Sequence, residues 1–86
     1  MPEISRFLGI IIFMYFNDHE PPHFHARYNE FRGKLTINEL QLIEGRLPKR
    51  ILALVLEWAN NHRAELLENW ETLKKEGKYK RIKPLV

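Results

Sequence analysis

Ile10 to Phe16 is an unbroken apolar run, β-branched and aromatic but for Met14, a pattern that predicts a strand covered on both faces. Asn17-Asp18 ends it with a turn signal. From His23 to Tyr28 the pattern becomes alternating: Phe24, Ala26 and Tyr28 point one way, His23, His25 and Arg27 the other. Phe31 to Ile37 repeats the alternation, with Phe31, Gly33, Leu35 and Ile37 opposed to Arg32, Lys34 and Thr36. Asn29-Glu30 between these segments suits a two-residue hairpin, because Asn tolerates the positive φ such turns require. The implied register sets Tyr28 against Phe31 and Phe24 against Leu35. On the opposite side His25 meets Lys34, Arg27 meets Arg32 and His23 meets Thr36. One sheet face is therefore apolar and the other cationic.

A second two-residue turn at Asn38-Glu39 predicts a strand over Leu40 to Glu44, with Leu42 opposite Leu35 and Gly45 as its end. Pro48 then opens one long helix running to roughly Lys75 and stopped at Gly77. At about 100° per residue, Ile51, Leu54, Val55, Trp58, Ala59, Leu66 and Leu73 fall on one stripe, which covers the sheet. The expected fold class is α+β: an antiparallel meander of about four strands packed by one long C-terminal helix. Residues 1–86 form a single domain, ending in a basic tail over 77–86.

The 86 residues include no cysteine, so disulfides and thiolate zinc sites are excluded and any metal site must use His, Asp or Glu. The apolar run Phe7 to Phe16 falls well short of the ~20 residues needed to cross a bilayer. Glu3 and the lack of a small-residue cleavage site argue against a signal peptide, so a cytoplasmic location and no membrane partner are expected. Fourteen Lys and Arg against eleven Asp and Glu give a net charge of +3, a mild bias toward anionic partners.

Three of the four histidines lie in Asp18-His19-Glu20-Pro21-Pro22-His23-Phe24-His25. The His-x-x-x-His-x-His spacing concentrates groups that titrate near neutral pH or bind transition metals, and the two prolines hold the backbone between them extended. One reading makes His19, His23 and His25 acid and base catalysts of metal-independent phosphodiester cleavage in RNA, with Arg27, Arg32 and Lys34 holding phosphate. A second has the same three histidines bind Zn, Ni or Fe, with Asp18, Glu20 or His62 completing the shell. Neighbouring cations disfavour a bound dication, which ranks the first reading ahead and leaves no cofactor expected under it. A third, structural reading has the prolines stiffen a turn while the histidines bond backbone groups and pack on aromatics.

On the helical wheel His62, Glu65 and Asn69 lie within about 40° of Trp58, so the inner stripe turns polar in its second half. These three are supporting residues that meet the Pro-Pro loop or a partner protein, unless Glu65 and Asn69 sit at the solvated edge of the stripe. Trp58 and Trp70, spaced among leucines, are expected in the core. Arg6 is open between solvent and the cationic face. Lys74, Lys75, Lys78, Lys80, Arg81 and Lys83 form a basic cluster that suits a helix C-terminus and a solvated tail.

Together, Ile4-Ser5-Arg6-Phe7, Asp18-His19 with Pro21-Pro22-His23-Phe24-His25, Glu44-Gly45 with Leu47-Pro48, and Glu57-Trp58 with His62, Glu65-Leu66 and Asn69-Trp70 resemble a family of small bacterial proteins catalogued as domain of unknown function 4160. The resemblance spans Pro2 to Leu85. It implies a stand-alone prokaryotic protein, often encoded beside another small protein in an arrangement like a toxin-antitoxin pair, and it implies no reaction. The expectation is a toxin-like protein acting on or binding RNA, partnered by a small antitoxin-like protein. A metal-binding protein or a non-enzymatic module that binds the neighbouring protein are the alternatives.

Overall fold

A computed structural model describes residues 2–86. Five strands run in sequence order through one sheet: β1 (Glu3–Phe7), β2 (Ile10–Phe13), β3 (His23–Tyr28), β4 (Phe31–Thr36) and β5 (Leu42–Arg46). Every neighbouring pair is antiparallel. Two helices follow, α1 (Lys49–Asn61) and α2 (Arg63–Glu76). The α+β meander is as expected, with one strand more and the helix divided.

The extra strand is β1. Leu8 (φ 51°) and Gly9 (φ 81°) form the turn that joins it to β2. Leucine is a poor residue for a left-handed turn position, so this hairpin carries only half of the usual signal. β2 ends at Phe13, earlier than the apolar run, and the chain from Met14 leaves the sheet toward the Pro-Pro loop.

The β3–β4 hairpin follows the expected register throughout, from His23 opposite Thr36 to Tyr28 opposite Phe31. Asn29, with φ 54°, supplies the turn conformation. β5 departs from expectation. It starts at Leu42, because the turn after Thr36 is longer than two residues, and the Thr36 amide donates to the Gln41 carbonyl at 2.9 Å. Nor does Gly45 end the strand; it lies within β5 opposite Gly33. Its φ is +80°, and a Cβ there would stand 2.2 Å from the Arg32 carbonyl oxygen. The glycine thus lets the strand approach β4 closely and carry on to Arg46, while the register irregularity lies further back, between the Lys34–Glu44 and Leu35–Leu42 pairs.

The long helix breaks at His62, whose φ of −127° leaves the helical region. The His62 amide donates to Ala59 O at 3.1 Å, tightening the last turn, and its own carbonyl accepts the Leu66 amide at 2.9 Å, starting the next helix. Asn60-Asn61 are weak helix formers that ease the interruption. The break barely changes phase, so Ile51, Val55, Trp58, Leu66, Trp70 and Leu73 all stay buried. A stripe that continues across the gap conceals the gap.

Trp58 is the centre of the core. It is fully buried, with ring centroids 5.6 Å from Phe7 and 6.2 Å from Phe24, and its indole N–H donates to the Lys83 carbonyl at 2.9 Å. The tail is therefore docked, although most of its side chains are exposed. Asn69 donates to Lys80 O at 2.8 Å and accepts from the Lys80 amide at 2.9 Å. The Ile82 amide donates to Ile4 O at 2.9 Å, and the Ile82 side chain is buried. No helix among the described residues is long and apolar enough to cross a membrane.

Candidate functional site

The helices cover the face of the sheet that carries Phe24 and Ala26, both fully buried. The opposite face presents two cross-strand rows fixed by the registers. One row runs Phe13, His25, Lys34, Glu44; the next runs Arg6, Ile11, Arg27, Arg32, Arg46. Adjacent strands lie about 4.8 Å apart, so Arg27, Arg32 and Arg46 are direct neighbours. Among the described residues none of these three has an acidic partner within salt-bridge distance, whereas Arg6 pairs with Glu3 at 2.7 Å and Lys34 lies 3.6 Å from Glu44. Sequence reasoning missed Arg46, because ending β5 at Gly45 removes it from the sheet.

A concavity of about 190 Å³ opens on this face, lined mainly by Tyr15, His25, Arg32, Lys34 and Glu44. Phe13 forms its floor side, with its ring stacked 5.0 Å from that of His25, and Tyr15 meets His25 edge-on at 4.8 Å. A larger concavity of about 320 Å³ lies away from the histidines, between α2 and the tail, around Asn69, Thr72 and Tyr79.

The loop from Asn17 to Pro22 folds back over the start of β3. Asn17, at φ 54°, turns the chain, and the Glu20-Pro21 peptide is cis. Lys74 of α2 ties the loop to the helix through Glu20 at 2.9 Å, an ion pair that holds the Glu20 carboxyl below its ordinary range. The loop delivers Asp18 to two histidines. Its Oδ2 lies 2.9 Å from His23 Nε2 and 3.6 Å from His25 Nε2, while its Oδ1 accepts the His19 amide at 2.8 Å. Burial pushes the Asp18 carboxyl up, but the His19 amide and the His23 ring outweigh it, and the net direction is downward.

His23 is 1% exposed, and its ring lies 5.0 Å from that of Trp70. Nδ1 contacts Pro21 O at 2.8 Å, and since a carbonyl only accepts, Nδ1 carries the hydrogen. Nε2 then faces a carboxylate oxygen, also an acceptor. The arrangement is satisfied only with a positive charge between Nε2 and Asp18: a second ring proton or another cation. His25 is partly exposed, its Nε2 is buried without a hydrogen-bond partner, and burial, reinforced by His23 and Lys34, pushes its imidazole below the ordinary range against the pull of Asp18.

The expected site residues thus divide. His23 and His25 converge, but with Asp18 in place of His19, which is exposed and outside the cluster. His25, Arg32 and Lys34 share the concavity, and Arg27 stands in the next row. His62, Glu65 and Asn69 do not act together. His62 Nδ1 and Glu65 Oε1 lie 2.6 Å apart at the surface beside Trp58, while Asn69 is buried on the tail. Asp18, expected at most to complete a metal shell, is the hub. Its position depends on how the loop closes, which no periodicity encodes.

The sequence profile of a family described as "Domain of unknown function (DUF4160)" matches residues 9–71, a span that includes the Asp18 loop and both histidines of the cluster. No curated protein and no solved structure gave a match.

Proposed function

Given that the chain belongs to the DUF4160 family, whose function is unassigned, we propose from its own geometry that the uncovered sheet face binds single-stranded RNA, as the toxin-like member of a two-protein pair. The observation that carries this reading is the row Arg27, Arg32, Arg46: three adjacent guanidinium groups without acidic partners among the described residues. Guanidinium groups present planar donor pairs that match phosphate oxygens, and a row of them crossing strands suits a backbone running across the sheet. Tyr15, 41% exposed and edge-on to His25, supplies aromatic surface on the face. Sheets that bind single strands combine cations with such aromatics, on which unpaired bases stack. Of the three clustered histidines only His25 opens to the concavity, so any chemistry on bound RNA centres there.

The test expresses the chain alone and together with its neighbouring small protein, following growth and RNA integrity. The wild type alone should arrest growth with loss of intact RNA, and the neighbour should relieve both. Arg27→Ala/Arg32→Ala/Arg46→Ala should be inert although folded. Equal toxicity from that variant would remove the sheet face from the explanation, and intact RNA during arrest would remove RNA cleavage from it.

A further inference from the structure

We propose that Asp18, His23 and His25 form a binding site for one divalent first-row transition ion, ligated by a carboxylate oxygen and the two Nε2 atoms. The three ligand atoms all lie within 4.8 Å of one another, at 2.9 and 3.6 Å for the two carboxylate–imidazole pairs. Ligands at about 2.0–2.1 Å from a tetrahedral ion stand about 3.3 Å apart, and at right angles about 2.9 Å, so both carboxylate–imidazole pairs already stand near metal-ligand spacing, and closure on an ion requires the two Nε2 atoms to stand equally close.

Two further observations point to a cation. His23 donates Nδ1–H to the Pro21 carbonyl, the outer-shell bond that fixes a metal-binding histidine in the correct tautomer and aims its Nε2 lone pair at the ion. Without a second ring proton that lone pair faces the Asp18 carboxylate, a repulsive contact that a bound ion converts into two bonds. His25 Nε2 is buried and has no hydrogen-bond partner, and 3.6 Å is too long for a bond to Asp18. A ring proton on His23 would satisfy only its contact with Asp18 and leave His25 Nε2 unpartnered; a metal ion serves all three ligand atoms.

The surroundings accept the charge. Asp18 supplies one negative charge, Lys34 lies 3.6 Å from Glu44, and the unpaired arginines stand one row away. Phe13, Tyr15 and Trp70 wall the imidazoles and hold their ring planes. Asp18 and His25 each keep 19% of their side-chain surface exposed, so the cluster lies at the edge of the solvated face, where water can complete the shell once an ion draws the ligands together. Two imidazoles and one carboxylate with open positions form the donor set of catalytic zinc and non-haem iron(II) centres. The site stands whether or not the sheet face binds RNA.

The test titrates the full chain, purified without a histidine tag and stripped with a chelator, with Zn(II) and Co(II). Expected are one equivalent of Zn(II), the visible bands of low-symmetry Co(II), and a rise in melting temperature that a chelator reverses. Asp18→Asn and His25→Ala should each weaken Zn(II) binding at least about tenfold, the lower end of what even outer-shell losses cost, with helical circular dichroism unchanged. His19→Ala and His62→Ala should bind like the wild type. In case either ligand variant fails to fold, the imidazole ¹⁵N shifts of the wild type decide, since metal must move the Nε2 signals of His23 and His25. Failure to bind stoichiometrically overturns the proposal, as does binding that survives both ligand variants or follows His19 or His62. RNA binding by the arginine row would survive that failure, so the two readings fall separately.

Discussion

Replacing Arg27, Arg32 and Arg46 with alanine takes the net charge from +3 to 0 and removes the whole cross-strand row. If each guanidinium neutralises one phosphate, the slope of log affinity against log salt is about −2.1 for a single strand, at about −0.7 per contact. Raising salt from about 50 to 200 mM then weakens wild-type binding about twentyfold. Lys34 shares its charge with Glu44 and adds at most one more contact, which brings the slope to about −2.8 and the loss to about fiftyfold. The triple variant should retain a slope no steeper than about −0.7, and Arg32→Ala/Arg46→Ala should fall between. Fluorescence anisotropy with a labelled single-stranded RNA over that salt range measures all of these. The decisive control is Lys78→Ala/Lys80→Ala/Lys83→Ala, which also has zero net charge but removes cations from the docked tail. Binding governed by position should leave this variant's slope near that of the wild type. Equal flattening in both triple variants would mean that net charge alone attracts RNA, and the sheet-face reasoning would be refuted.

Three further outcomes follow from the fold. Asn69→Ala removes both hydrogen bonds to the exposed Lys80 backbone, whose groups water can then satisfy; the expected cost is about 1–3 kcal/mol in urea denaturation, with faster amide exchange over the tail. Gly45→Ala forces a side chain into left-handed backbone, costing about 1–2 kcal/mol before the clash with Arg32 O is added. Gly77→Ala at φ +68°, where a Cβ meets nothing within 4 Å, should show the backbone part alone, and equal melting shifts would disprove the close approach at β5. The Arg6 guanidinium, aided by Arg81, lowers the Glu3 carboxyl from 4.5 to about 2. Its stabilising contribution is thus present above the unfolded value and lost as pH falls toward 2, so wild type and Glu3→Gln should converge in urea midpoint over that window.

Strand alternation made the β3–β4 hairpin legible residue by residue, because each inward position is apolar and each outward one is polar or charged. That was sufficient to predict a cationic face with His25 beside Lys34. It was not sufficient where backbone conformation overrode side-chain pattern. Leu8-Gly9 turns without a turn-forming first residue, and Gly45 continues a strand that it would ordinarily end. The pause at His62 left the apolar stripe in phase and so invisible to periodicity. The candidate site shows the same division: His23 and His25 were placed by alternation, whereas Asp18 arrives through a loop anchored by the Lys74–Glu20 pair from distant sequence. Asn69 was expected at the Pro-Pro loop, at a partner's surface or at a solvated edge, and its amide instead holds the tail of its own chain.

The docking of residues 80–83 has a consequence for synthesis. Each meander hairpin joins strands adjacent in sequence, so β1 to β5 can pair as they emerge from the ribosome. Ile4, Trp58 and Asn69 all wait for backbone groups of the tail, which leave the ribosome after both helices. A nascent chain halted at Gly77 holds every strand and helix but leaves the Trp58 indole N–H and the Ile4 carbonyl without these partners. Docking of residues 80–83 therefore closes the core last, after every strand and helix has been made.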